Sequence, residues 1–149
     1  MRAYLLIVTL AACGTTGDDG YDIIDCTTVT TDDTFTVGLE KMGAAGLVDF
    51  KLMSIDPAPD PQRGDNTWIV ELDNVASANA PLDGATITVT PYMPAHMHMS
   101  PISAVITPTA TPGQYKLDKV NTWMNGVWEV TIATTAPVAD RAKYSFCVP

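Results

Sequence analysis

Thr67-Trp68-Ile69-Val70-Glu71-Leu72-Asp73 alternates along its length, so an extended backbone sets Trp68, Val70 and Leu72 on one face. That is the signature of a half-buried β-strand. Working outward, Thr86-Ile87-Thr88-Val89-Thr90 repeats the pattern with Ile87 and Val89, and residues 126–132 repeat it with Trp128, Val130 and Ile132. Residues 143–148 do so with Tyr144, Phe146 and Val148. Weaker candidates lie at residues 34–42, 47–55, 102–107 and 114–117, where Met42 and Met53 read as core. Turn residues separate these runs at Leu82-Asp83-Gly84, Thr111-Pro112-Gly113 and Met124-Asn125-Gly126, and the Pro-rich residues 56–64 form a stiff loop. No 12-residue stretch carries a helical period. Seven or eight short strands at this spacing predict an all-β fold, an immunoglobulin-like antiparallel β-sandwich occupying residues 22–149 as one domain.

The composition agrees with that reading. The chain has 149 residues, 46% of them apolar and 17% charged, which is enough apolar side chain for a packed core and argues against disorder. Eight Lys and Arg against 17 Asp and Glu give a formal charge of −9, and no basic cluster offers the footprint that phosphate binding needs. Nucleic acid is therefore excluded as a partner. Only two His occur in the chain, which restricts hydrolytic and multi-metal chemistry to at most one place.

The N-terminus reads as an address. Arg2 is followed by an apolar run ending in Leu10-Ala11-Ala12-Cys13, which resembles a bacterial lipobox: residues 1–12 form the signal peptide and Cys13 is acylated. The run is too short to span a bilayer. Residues 13–21 then form a small, acidic, flexible tether, and resemblance to enteric lipoproteins, in which an Asp at the second position implies retention at the inner membrane, makes Gly14 favour the outer one. The expected location is the bacterial cell envelope, on the periplasmic side or the cell surface, with the lipid bilayer as a partner through Cys13. Cys26 and Cys147 remain as an even pair in an oxidising compartment and predict a disulfide; the rival reading makes their thiolates copper ligands.

The unusual segment is Pro91-Tyr92-Met93-Pro94-Ala95-His96-Met97-His98-Met99-Ser100-Pro101, which holds both His of the chain and three Met. If it stays extended past Pro94, His96 and His98 share one face and Met97 and Met99 the other. If it turns at Met93-Pro94, thioether and imidazole can converge on one ion. Thioether is a soft ligand and imidazole accepts both copper oxidation states, so this set selects copper, with Cu(I) favoured, over hard cations. Zinc is disfavoured because no third strong ligand is evident. Met124 supplies a further sulfur if its turn lies at the same end of the sandwich. Set against this, Met often only fills gaps in a core, and an exposed Met/His loop also serves as a protein-binding surface. Trp68, Trp123 and Trp128 read as packing residues. No Ser/His/Asp order and no phosphate-binding Gly loop occurs in the sequence, and the chain is read as a non-enzyme.

Several of these segments, in order, resemble the YtkA-like domain, a family related to FixH-like proteins. They are residues 66–73, residues 82–89, Met93-Pro94-Ala95-His96-Met97-His98, Gly113-Gln114-Tyr115 and residues 124–130, so the likeness spans roughly residues 64–132. The most specific parts are the Met-Pro-x-His-x-His element and the closing Met-x-Gly-x-Trp element. The resemblance implies an exported or membrane-attached small β-sandwich, and for some members a link to copper handling and cytochrome oxidase assembly. Carried across, it points to Met93, His96, His98 and Met124. The sequence departs from the family at Met97, where Gly commonly stands. The expectation is an anchored copper carrier or buffer that hands its ion to a delivery partner. The alternative is a metal-free interaction module of the envelope.

Overall fold

The computed structural model describes residues 24–149, and the expected signal peptide, Cys13 and tether lie outside the described residues. In chain order the strands are β1 (Glu40–Met42), β2 (Val48–Asp56), β3 (Gly64–Asn74), β4 (Ala80–Pro81) and β5 (Thr86–Met93), followed by β6 (His98–Met99), β7 (Val105–Pro108), β8 (Gln114–Thr122), β9 (Gly126–Ala136) and β10 (Asp140–Val148). They form two antiparallel sheets, one ordered β1-β2-β3-β8-β7 with β4 on the end of β3, the other β10-β9-β5-β6. The sheets pack face to face as the expected sandwich. The strands number ten rather than seven or eight because β4 and β6 are two residues each, too short to leave a period in the sequence.

The alternating faces form the core. Trp68, Val70 and Leu72 of β3 and Trp128, Val130 and Ile132 of β9 are fully buried, and Tyr144, Phe146 and Val148 of β10 nearly so. Phe35 leaves the expected strand at residues 34–42 and enters this core, with its ring centre 5.2 Å from that of Trp68 and 5.1 Å from that of Phe146. That shortens β1 to three residues. Two expected core positions are corrected. Met42 is 55% exposed, because it pairs with Asp49 and so shares the outer face of β2, whereas Phe50 next to Asp49 points inward. Met53 is half-buried, because the β2–β3 register slips between Leu52 and Ser54 and leaves Met53 as the extra residue of a bulge.

Polar groups tie the sheets together where apolar contact alone would let them slide. The Tyr144 hydroxyl donates to the Phe50 carbonyl at 2.9 Å across the core; burial first, then the charges of Asp33 and Glu40, push this phenol well above the usual tyrosine range, so it stays a donor. Cys26 and Cys147 are joined in a disulfide across 121 residues, which removes their thiolates as copper ligands. In the chain-entropy account a loop of that length contributes about 4–5 kcal/mol. The same N-terminal segment covers the free edge of β10: Asp33 N–H donates to the Ser145 carbonyl, and Ser145 N–H donates back to the Asp33 carboxylate. Lys41 pairs with Asp33 and also donates to the Lys143 carbonyl.

Asp140 makes a further tie, with four hydrogen bonds. Its carboxylate accepts from the backbone N–H groups of Ala45, Leu47, Val48 and Arg141 at 2.8–3.0 Å, joining the β1–β2 turn to the start of β10. Gly43 must lack a side chain here, since a Cβ would overlap the carboxylate. Desolvation alone would raise the Asp140 pKa, but the four N–H donors outweigh it and hold the carboxyl below its ordinary value. A carboxyl depressed in the folded state stabilises above the unfolded-state value near 4, and that contribution disappears as pH falls through the folded value. Asp140→Ala, which orphans the donors, is expected to cost about 2–4 kcal/mol in urea unfolding at pH 7. The difference from the parent protein should shrink steadily below about pH 4. A pH-independent difference would contradict this role.

Candidate functional site: the rim around His98

Pro94 opens a 3-10 turn, Pro94–His96, at the end of β5, where its missing N–H is no loss. Met97 then takes a left-handed conformation, φ 53° and ψ 37°, and its N–H donates to the Pro94 carbonyl at 3.2 Å. The chain reverses and β6 returns along β5, pairing His98 with Met93 and Met99 with Tyr92. Ser100 fastens the far side: its N–H donates to the Pro91 carbonyl at 2.9 Å, and its hydroxyl to Asn121, which donates to Asp65. The segment is thus a bolted hairpin, of the turned rather than the extended kind.

That register decides which side chains meet. Directly paired residues share a face, so His98 lies on the side of Met93, which is buried, while Met99 lies with Tyr92 on the outer face. His98 is half-buried and His96 exposed, and their ring centres are 5.7 Å apart. The His98 Nδ1 lies 3.3 Å from the Met99 carbonyl. A carbonyl can only accept, so this contact is a hydrogen bond in the tautomer that carries its hydrogen on Nδ1, which leaves the lone pair on Nε2.

The second predicted element arrives at the same rim. Residues 123–125 link β8 to β9, and the Trp128 indole N–H donates to the Met124 carbonyl at 2.8 Å, fixing the bend. The bend needs Gly126: its φ is +131°, and a Cβ would fall 2.5 Å from the Met93 Cε. So held, the Trp123 ring stacks on His98, with centres 5.4 Å apart and planes 23° apart, while Trp128 meets His98 edge-on at 6.2 Å. The Trp123 carbonyl also accepts from Arg63 Nε.

Of the expected site residues, the structure therefore gathers His96 and His98, with Met93 buried beneath them and half-buried Met124 on the adjoining bend. Met97 stands at the tip, 82% exposed, and Met99 faces outward at 62%. Trp123, read from the sequence as packing, does pack against the core, and its half-buried ring also forms one wall of the rim by stacking on His98. Its place next to Met124 is the signal that points to it. Among the described residues no group of three His, Cys, Asp or Glu side chains gathers at one point.

Gly126→Ala is expected to cost about 1–3 kcal/mol through backbone strain and overlap with Met93. It should also move the His98 ring-proton resonances downfield in the NMR spectrum, as the Trp123 ring current is lost. Unchanged His98 shifts would mean that this bend does not set the stack.

A family model described as YtkA-like matches residues 45–133, more than half of the chain. No curated protein and no solved structure gives a significant match. The matched segment contains both elements of the rim, while β10 and the two disulfide cysteines fall outside it. The chain belongs to the YtkA-like family.

Proposed function

We propose that this domain is a lipid-anchored, non-enzymatic copper carrier or buffer of the bacterial cell envelope, holding Cu(I) at the rim built around His96 and His98. The observation that carries the reading is the spacing of the two rings. A metal–nitrogen bond of about 2.0 Å puts an ion about 3 Å from each ring centre, so two imidazoles sharing one ion have centres about 5–6 Å apart. The observed 5.7 Å fits. The Nδ1 contact of His98 with a carbonyl is the kind of outer-shell hydrogen bond that orients metal-binding imidazoles and frees Nε2.

The remaining donors suit copper better than zinc. Two imidazoles, with no third His, Cys or carboxylate beside them among the described residues, fall short of a structural zinc set, whereas the thioethers of Met93, Met97, Met99 and Met124 are soft ligands that favour Cu(I). Met93, paired with His98 across β5 and β6, lies on the imidazole face, and Met124 stands on the adjoining bend, packed against the core. Met97 and Met99 offer sulfur from the solvent side, where a delivery partner would dock. Cys13 supplies the anchor, and Gly14 after it favours the outer membrane.

Titration with Cu(I) against a chromophoric competitor is expected to show one tight site in the parent protein and at least a tenfold loss of affinity in the His96→Ala/His98→Ala double variant. Affinity should also fall on acidification, because protons compete for the imidazole nitrogens. A loss of no more than a few-fold in the double variant would count against the proposal. A second reading, a metal-free docking module, draws support from Met97, Met99, Ile102 and Val105, which are all exposed along one stretch. Copper retained by protein purified from copper-supplemented cells separates the two readings.

A further inference from the structure

Met97 carries two local costs at once. Its backbone lies in the left-handed region, where a Cβ crowds the following carbonyl and Gly is at ease. Its side chain is also 82% exposed, the highest value among the exposed large apolar residues described. Ala78, Asn79 and Lys119 share the positive φ, yet none of them presents a large apolar side chain: Ala78 is small, Asn79 tolerates this conformation, and Lys119 ends in a charge suited to water. Strain of this kind persists where the surroundings impose it, and it points to use.

The surroundings do impose it. Pro94 fixes the entry of the turn, the Met97 N–H is bonded to the Pro94 carbonyl, and β6 pairing locks the next two residues. The thioether is therefore presented to solvent from a bonded turn, between the two imidazoles in sequence. It has no titrating proton, so its capacity to bind a soft ion does not vary with pH as that of an imidazole does.

We propose that Met97 is the capture residue of the copper site: its exposed thioether takes Cu(I) from a donor molecule and passes it by ligand exchange to the His96 and His98 nitrogens. This rests on the copper reading above. Capture breaks a bond between Cu(I) and its donor and forms one Cu–S bond, the displaced ligand leaving with the donor; transfer breaks that Cu–S bond as Cu–N bonds form and frees the thioether, and no electron moves in either exchange.

The test compares the parent protein with Met97→Gly, which fits the backbone conformation, and Met97→Asn, which keeps a side chain there but lacks sulfur. Cu(I) is supplied as a bicinchoninate complex and its transfer followed by stopped-flow absorbance, with the melting temperature of the metal-free proteins measured alongside. Uptake is expected to slow at least tenfold in both variants, while the melting temperature of Met97→Gly stays level or rises. Parent-like uptake rates in the variants would overturn the capture role and leave the copper reading standing. A clear fall in the Met97→Gly melting temperature would make the side chain structural and likewise overturn it. A parent protein that takes up no Cu(I) would overturn both.

Discussion

The hydrogen bond from the Trp128 indole to the Met124 carbonyl joins the core to the rim, and the site depends on it. Trp128 is fully buried in the core, where close packing leaves its ring little freedom to move. By holding the 123–125 bend in place, it stands Trp123 against His98. The imidazole is thereby fixed on three sides: the Trp123 face, the Trp128 edge and the strand pairing with Met93. A side chain positioned in this way has little rotamer freedom left to lose, which suits it to the ligand role proposed above.

The same economy runs through the rest of the fold. Apolar alternation specifies which faces meet, but it does not specify how the two sheets are aligned. That is settled by a few polar ties at the ends of strands: the Tyr144 hydroxyl on Phe50, the Asp140 carboxylate on the β1–β2 turn, and the N-terminal segment strapped to β10 by Asp33 and the disulfide. The hydrogen bonds among these pair polar groups that are buried or half-buried, so removing one partner alone is costly. The disulfide lies outside the segment that matches the family, so this chain fastens its ends with a device the family match does not include.

The alternating faces of β3, β9 and β10 were legible in the sequence because a strand half-buried in a sandwich must alternate. Trp68 and Trp128 could hardly sit elsewhere. The two-residue strands β4 and β6 were not legible, since two residues carry no period, nor was the exposure of Met42, which follows from pairing with Asp49 rather than from its own chemistry. Asp140 resembled any surface carboxylate, because its partners are backbone N–H groups that leave no mark in sequence. At the rim, the gathering of His96 and His98 could be read from their rarity and spacing. The stacking of Trp123 could not, since it depends on a bend set by a hydrogen bond from the core. The outward direction of Met99 depends on register, which the sequence alone left open between an extended and a turned segment.

X-ray absorption at the copper edge, on protein loaded with one equivalent of Cu(I) and passed through gel filtration, tests the central claim most directly. The account predicts retained copper with a mixed shell of imidazole nitrogen and thioether sulfur, in which the imidazole outer-shell scattering is lost in the His96→Ala/His98→Ala protein. Copper that elutes free, or a shell without imidazole scattering in the parent protein, would contradict it.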